Sequence, residues 1–170
     1  MLSIFDNMFE TNLEIEARAS LTFYEFEKLL HLLHSSHVMT FLGSNKSLDN
    51  YYTNGTRQEN TETSVKSVYK QTKLSKDFSQ FKIVRSTEKP SVCSGNLILS
   101  RNKTRHTFLY KFWRYDLTEV ISNGLTKYEL EIEIVNYIEA RSKTRKYLYD
   151  SLVGKITELL QVVNRELDHV

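Results

Sequence analysis

The chain has 170 residues, 40% of them hydrophobic and 26% charged, with a formal charge of +2. That length and composition suit a single globular domain with its own core and exclude a disordered or strongly basic chain. The lone cysteine, Cys93, excludes an internal disulfide and points to a reducing, cytoplasmic setting.

No membrane partner is expected, because no segment is apolar enough to span a bilayer and Met1-Leu2-Ser3-Ile4-Phe5-Asp6 lacks the basic start of a signal peptide. A short helix at about 3–10 leads into a first strand at about 12–19. Thr22 with Glu25 three positions on forms a capping-box pattern. The helix it opens, about 23–35, lines Phe26, Leu29, Leu30 and Leu33 along one stripe. His31, His34 and His37 follow at a spacing of three, which fits either a metal site or solvated imidazoles near the last helical carbonyls.

From 38 to 120 the pattern is mostly β, with strands at about 37–42, 48–53, 56–60, 63–72, 80–86, 96–109 and 111–120. Turns are expected at Gly43-Ser44-Asn45-Lys46, Thr53-Asn54-Gly55, Lys89-Pro90-Ser91 and Asn123-Gly124. The segment at about 136–168 is helical, with Leu148, Leu152, Ile156, Leu159, Leu160 and Leu167 among its periodic apolar positions. Its basic start, Arg141 to Lys146, reads as a solvated helix end or as an RNA contact. The chain closes without a clear helix stop, so a longer polypeptide is expected.

Two acidic stretches echo each other: Leu13-Glu14-Ile15-Glu16-Ala17-Arg18 and Tyr128-Glu129-Leu130-Glu131-Ile132-Glu133-Ile134. On strands, alternate residues share a face and lie roughly 6–7 Å apart. Glu14, Glu16 and Arg18 therefore share one face, as do Glu129, Glu131 and Glu133. Glutamate is a poor strand former and like charges on one face repel, which a divalent cation held between the rows would relieve. Carboxylate oxygens suit Mg²⁺ or Mn²⁺.

Between the acidic strands, Arg101, Lys103 and Arg105 alternate on a third strand, and Arg114, Asp116 and Thr118 on a fourth. Arg57, Lys66, Lys70, Lys82 and Arg85 are further cations on candidate strands. If the sheet closes with its polar faces inward, the charges pair inside and the apolar faces pack outward against helices. An interior with carboxylates and cations suits a metal together with a polyanion such as a triphosphate.

These residues also carry a family resemblance. Glu14-Ile15-Glu16-Ala17-Arg18 resembles the ExExK/R signature of the triphosphate tunnel metalloenzymes, the CYTH superfamily. Glu129-Leu130-Glu131-Ile132-Glu133 resembles the closing glutamate motif of fungal and viral RNA 5′-triphosphatases, and Arg101-Asn102-Lys103-Thr104-Arg105 their basic strand. Trp113-Arg114-Tyr115-Asp116-Leu117-Thr118 is similar to the strand that follows, and Asp49 through Arg57 to a Tyr-rich strand and its arginine. Val68-Tyr69-Lys70 and Arg85-Ser86-Thr87-Glu88 resemble stretches of the poxvirus capping enzyme.

The resemblance implies an α+β fold: an eight-stranded antiparallel β-tunnel with a polar interior, flanked by helices. The domain would cover 1–170, with a strand core at about 12–135 and a terminal helix at about 144–168. It would be the N-terminal part of a capping enzyme of viral or yeast linear-plasmid type, with guanylyltransferase and methyltransferase domains in the same polypeptide. Glu14, Glu16 and Glu133 would hold Mg²⁺ or Mn²⁺, and Arg57, Lys70, Arg101, Lys103 and Arg105 would grip phosphates. Glu131 would orient water, Glu129 would support the basic strand, and Glu88 would match a further catalytic glutamate. Arg18, Asp116 and Thr118 would brace the site.

The implied activity is removal of the γ-phosphate from triphosphate-ended RNA, with nucleoside triphosphates as further substrates. Hydrolysis of free tripolyphosphate or nucleotides, or capture of polyanions without catalysis, are the open alternatives.

Overall fold

The polar–apolar alternation becomes strands and the helical periodicity becomes helices in a computed structural model describing residues 2–165. The strands are β1 (Leu13–Leu21), β2 (Thr40–Tyr52), β3 (Thr56–Asn60), β4 (Val65–Asp77), β5 (Lys82–Pro90), β6 (Leu97–Tyr110), β7 (Trp113–Ser122) and β8 (Leu125–Ile134). A 3₁₀ turn at Leu2–Phe5 precedes them, α1 (Phe23–Ser35) follows β1, and α2 (Tyr137–Ala140) and α3 (Arg145–Arg165) close the chain. The strands form the closed eight-stranded antiparallel barrel that the resemblance implies, in the order β1-β5-β4-β3-β2-β6-β7-β8.

The core lies outside the barrel wall. Ile15, Ala17, Leu130 and Ile132 point outward, have 0% exposure, and pack with Leu29 of α1 and Leu152 and Ile156 of α3. Each such large side chain contributes about 1.5–3 kcal/mol by burial, so the helices drive the apolar strand faces outward. The polar faces are left to line the interior. Thr22 caps α1 as its sequence indicates: its hydroxyl accepts from the Glu25 amide at 3.2 Å, while the Glu25 carboxylate accepts from the Thr22 amide at 2.7 Å.

Several boundaries differ from expectation. The strands expected at 37–42 and 48–53 are one strand, β2, which runs straight through Gly43 to Lys46. Gly43 has φ +133° and sits at a register shift against β6, so it serves a β-bulge and not a turn. Pro90 ends β5 beside Val68 and does not open a turn. The helix expected at 3–10 is only the 3₁₀ turn, stopped before Asn7, whose φ is +44°.

The helix expected from 136 is broken between α2 and α3, where the Thr144 hydroxyl accepts from the Tyr147 amide and restarts it. Leu167 and the end of that helix lie outside the described residues. The turn at Asn123-Gly124 forms as expected, with both φ values positive.

His34 is used for packing: its ring meets Phe41 and Phe108 edge-on, with centroids 4.5 and 4.9 Å away. Among the described residues, no helix is long and apolar enough to cross a membrane.

Candidate functional site

The inward strand faces enclose a cavity of about 1160 Å³. Its acidic wall comes from β1 and β8, which are adjacent in the barrel. Glu16 and Glu133 are direct cross-strand partners, and Arg18 faces Glu131 in the same ladder. Glu14 lies two residues before Glu16 on the same face. The two acidic stretches of the sequence are thus one cluster in space.

Every carboxylate of this cluster has a cation beside it. Lys70 of β4 reaches across to pair with both Glu14 and Glu16, the latter at 3.2 Å. Arg18 pairs with Glu16 at 2.5 Å and with Glu131 at 3.1 Å. Arg114 of β7 donates to Glu133 at 2.5 Å and to Asp116 at 3.0 Å. Among the described residues, no three acidic, histidine or cysteine side chains already converge as a metal centre.

The pairing does not fully offset the crowding. Burial, with Glu14, Glu16 and Glu131 close by, pushes the Glu133 carboxyl up to about 8 against the pull of Arg114. Burial and Glu131 likewise raise Glu16. For Glu131 burial also acts upward, but Arg18, Arg105 and Lys103 outweigh it and leave it below the usual carboxylate range. One carboxylate is held ionised while its neighbours are strained toward protonation, a split typical of functional sites.

The basic wall comes from β3, β4 and β6. Arg57 donates to Glu88 at 2.7 Å, with Lys66 on the other oxygen at 3.3 Å. Arg101 donates to Glu129 at 2.7 Å. Lys103 pairs with Asp49 at 2.6 Å, and both are buried. Arg105 lies 3.8 Å from Asp116, which also accepts from the Thr107 hydroxyl at 2.7 Å.

Of the candidate residues, Glu14, Glu16, Glu88, Glu129, Glu131 and Glu133 all line the cavity. So do Arg18, Arg57, Lys70, Arg101, Lys103 and Arg105. Asp116 and Thr118 do not line it; each is 2% exposed and lies beneath the cations. Lys70 sits among carboxylates and not in the basic row, because β4 faces β1 across the shared neighbour β5.

Arg85, grouped with these cations in the sequence, points outward. It donates to the Ile4 carbonyl at 2.9 Å, to the Asp6 carbonyl and to Glu10 at 2.8 Å, tying down the N-terminal segment. Its odd position places it on the face of Ile83, opposite Ser86 and Glu88.

The sequence reading missed Asp49, Tyr51 and Glu59. Asp49 is 1% exposed and neutralises Lys103, while Tyr51 and Glu59 line the cavity. The signal was present in the alternation of Asp49 and Tyr51 across the Asn-Gly turn from Arg57 and Glu59.

No protein-family profile and no curated protein sequence matches the chain. Solved structures do. The RNA triphosphatase Pct1 of S. pombe superposes with a TM-score of 0.70 at 18% identity, over 96% of this chain and 88% of that one. The triphosphatase of the Mimivirus capping enzyme gives 0.67 at 17% identity, over 94% and 93%. HpAC1 of Hippeastrum, described by a dominant triphosphatase activity, gives 0.52 at 14% identity, over 86% and 87%. At these identities the likeness is one of fold. The chain therefore has the closed eight-stranded tunnel fold shared by these three proteins.

Proposed function

We propose that the protein is a metal-dependent polynucleotide 5′-triphosphatase that removes the γ-phosphate of nascent RNA, the first step of mRNA capping. The observation that carries this reading is the pairing of Glu16 with Glu133 in one cavity with Arg57, Arg101, Lys103 and Arg105. A triphosphate has oxygens for both walls, whereas pure polyanion capture would be served by the cations alone. The likeness of fold to two RNA triphosphatases supports the choice of substrate.

The donor set of Glu14, Glu16 and Glu133 is all carboxylate and short of positive charge, as the raised Glu133 attests, and so fits Mg²⁺ or Mn²⁺. When bound, such an ion neutralises phosphate charge and acidifies water. Lys70, which bridges Glu14 and Glu16, would supply a further cation for the phosphates.

The chain's own groups do the rest. Arg57, Arg101, Lys103 and Arg105 hold the phosphate oxygens and offset charge as the bridging P–O bond to the γ-phosphorus breaks. Glu131, kept ionised by Arg18, Arg105 and Lys103, orients the attacking water in line and accepts its proton. Glu129 and Glu88 fix Arg101 and Arg57, while Asp116 and Thr118 brace the floor. The products are inorganic phosphate and a diphosphate end suited to guanylylation.

The test is phosphate release from triphosphate-ended RNA, ATP and tripolyphosphate, with Mg²⁺, with Mn²⁺ and with chelator. Metal-dependent release that favours RNA is expected. Release only from tripolyphosphate would move the assignment to a polyphosphatase, and no release at all would remove it.

A further inference from the structure

The basic segment at the start of α3 acquires a partner in the structure that its sequence does not reveal. The Arg141 guanidinium lies 4.3 Å from the centroid of the Phe9 ring, and is anchored there by donating to the Met8 carbonyl at 2.8 and 3.0 Å. Phe9 is 73% exposed, so one face of its ring stays open to solvent while Arg141 lies against it. Beside it, Arg145 pairs with Asp6, and Lys143 is exposed with no ion pair among the described residues. Phe9, Arg141, Lys143 and Arg145 line a cavity of about 380 Å³.

This surface adjoins one rim of the tunnel. Asn12 lines the tunnel cavity, and three residues of chain span at most about 10–11 Å, so Phe9 is no further than that from the lining. The Tyr137 hydroxyl accepts from the Ile15 amide at 3.0 Å, which pins α2, and with it the α2–α3 turn, to the same rim.

We propose that Phe9, Arg141, Lys143 and Arg145 form a landing surface for the single-stranded RNA chain that trails from a 5′-triphosphate held in the tunnel. The inference rests on the triphosphatase reading for its substrate. An exposed aromatic face backed by a guanidinium stacks any base, and a neighbouring unpaired cation takes the phosphate beyond it. An RNA whose end is fixed inside and whose chain leaves by this rim meets the surface within its first nucleotides. Tripolyphosphate has no base to stack on Phe9, and a mononucleotide has no phosphate beyond its base for Lys143, which would make the surface the feature that favours RNA over them.

The test is equilibrium binding without divalent metal. The ligands are a short single-stranded RNA with a 5′-triphosphate, the same RNA with a 5′-hydroxyl, ATP, tripolyphosphate, and phosphatidylserine vesicles. Phe9→Ala is expected to weaken binding of both RNAs by about 5- to 100-fold and to leave ATP and tripolyphosphate unchanged. Lys143→Ala is expected to lower the slope of log affinity against log salt by about 0.7 for RNA. Phe9→Trp is expected to retain RNA binding, with the emission of the introduced indole quenched by the stacked base and read against the buried native Trp113.

Unchanged RNA affinity in both alanine variants, an equal loss on tripolyphosphate, unquenched emission from the Phe9→Trp variant on RNA binding, or an effect confined to vesicles would each overturn the proposal. If the wild type releases no phosphate yet RNA binding still depends on Phe9, the triphosphatase reading falls and the landing surface stands.

Discussion

Glu16 of β1 and Glu133 of β8 are cross-strand partners on the inner face of the barrel, although they lie 117 positions apart in the chain. Like charges placed opposite each other destabilise a ladder. Here they are balanced by Arg18 and Lys70 on Glu16 and by Arg114 on Glu133.

That crowding makes stability depend on pH. The Glu133 carboxyl sits at about 8 in the folded state against an ordinary value of 4.5, so the folded state holds a proton that the unfolded state has released. Stability of the metal-free protein is therefore expected to fall, by a few kcal/mol at most, as pH rises from about 5 to about 9. Glu133→Gln should flatten that slope. Urea melts in chelator across the range check this; a stability that rises with pH there would show the carboxyl to be ordinary.

Metal should act with the opposite sign. Its ligands must be deprotonated, so Mg²⁺ or Mn²⁺ is expected to raise the melting temperature more at pH 8 than at pH 6. Glu14→Gln, Glu16→Gln and Glu133→Gln should each abolish this rise. The same three changes should lower phosphate release by about 100-fold or more while leaving the circular dichroism spectrum intact. Wild-type turnover in Glu14→Gln would remove Glu14 from the site.

The two acid rows, the basic row and the capping box were legible in the sequence because each is a strict alternation or a local hydrogen bond. Polar faces on so many strands suggested a closed sheet, and the family resemblance implied the eight-stranded tunnel. Less legible was anything set by long-range pairing. The resemblance made Lys70 a phosphate ligand, and only barrel order shows that it also lies between Glu14 and Glu16. Arg85 looks like the other strand cations by type, although its alternation with Ser86 and Glu88 already puts it on the outer face. Gly43 reads as a turn residue by composition, and only its pairing with β6 makes it a bulge.

Asp49 and Lys103 form a pair 2.6 Å apart, 1% and 7% exposed at their side chains. Breaking such a pair strands a buried charge, so Asp49→Asn is expected to cost about 3–5 kcal/mol. Adding Lys103→Met should recover part of that loss. A double-mutant cycle by urea unfolding reads the coupling, and simple additivity would show the two groups to be independent.

The outer core should be separable from the chemistry. Leu152→Ala removes a side chain with 0% exposure and is expected to cost about 2–5 kcal/mol. Phosphate release per folded molecule should be unchanged below the new melting point. A large loss of rate in the folded variant would mean that α3 shapes the tunnel directly.

The central claim is that carboxylates from β1 and β8 together hold a divalent cation beside a bound phosphate chain. A crystal grown with Mn²⁺ and tripolyphosphate tests it through the anomalous signal of the metal. The predicted result is a Mn²⁺ peak among Glu14, Glu16 and Glu133, with phosphate oxygens reaching from it toward Arg101 and Arg105. A phosphate chain seated in the tunnel with no metal at those carboxylates would contradict it.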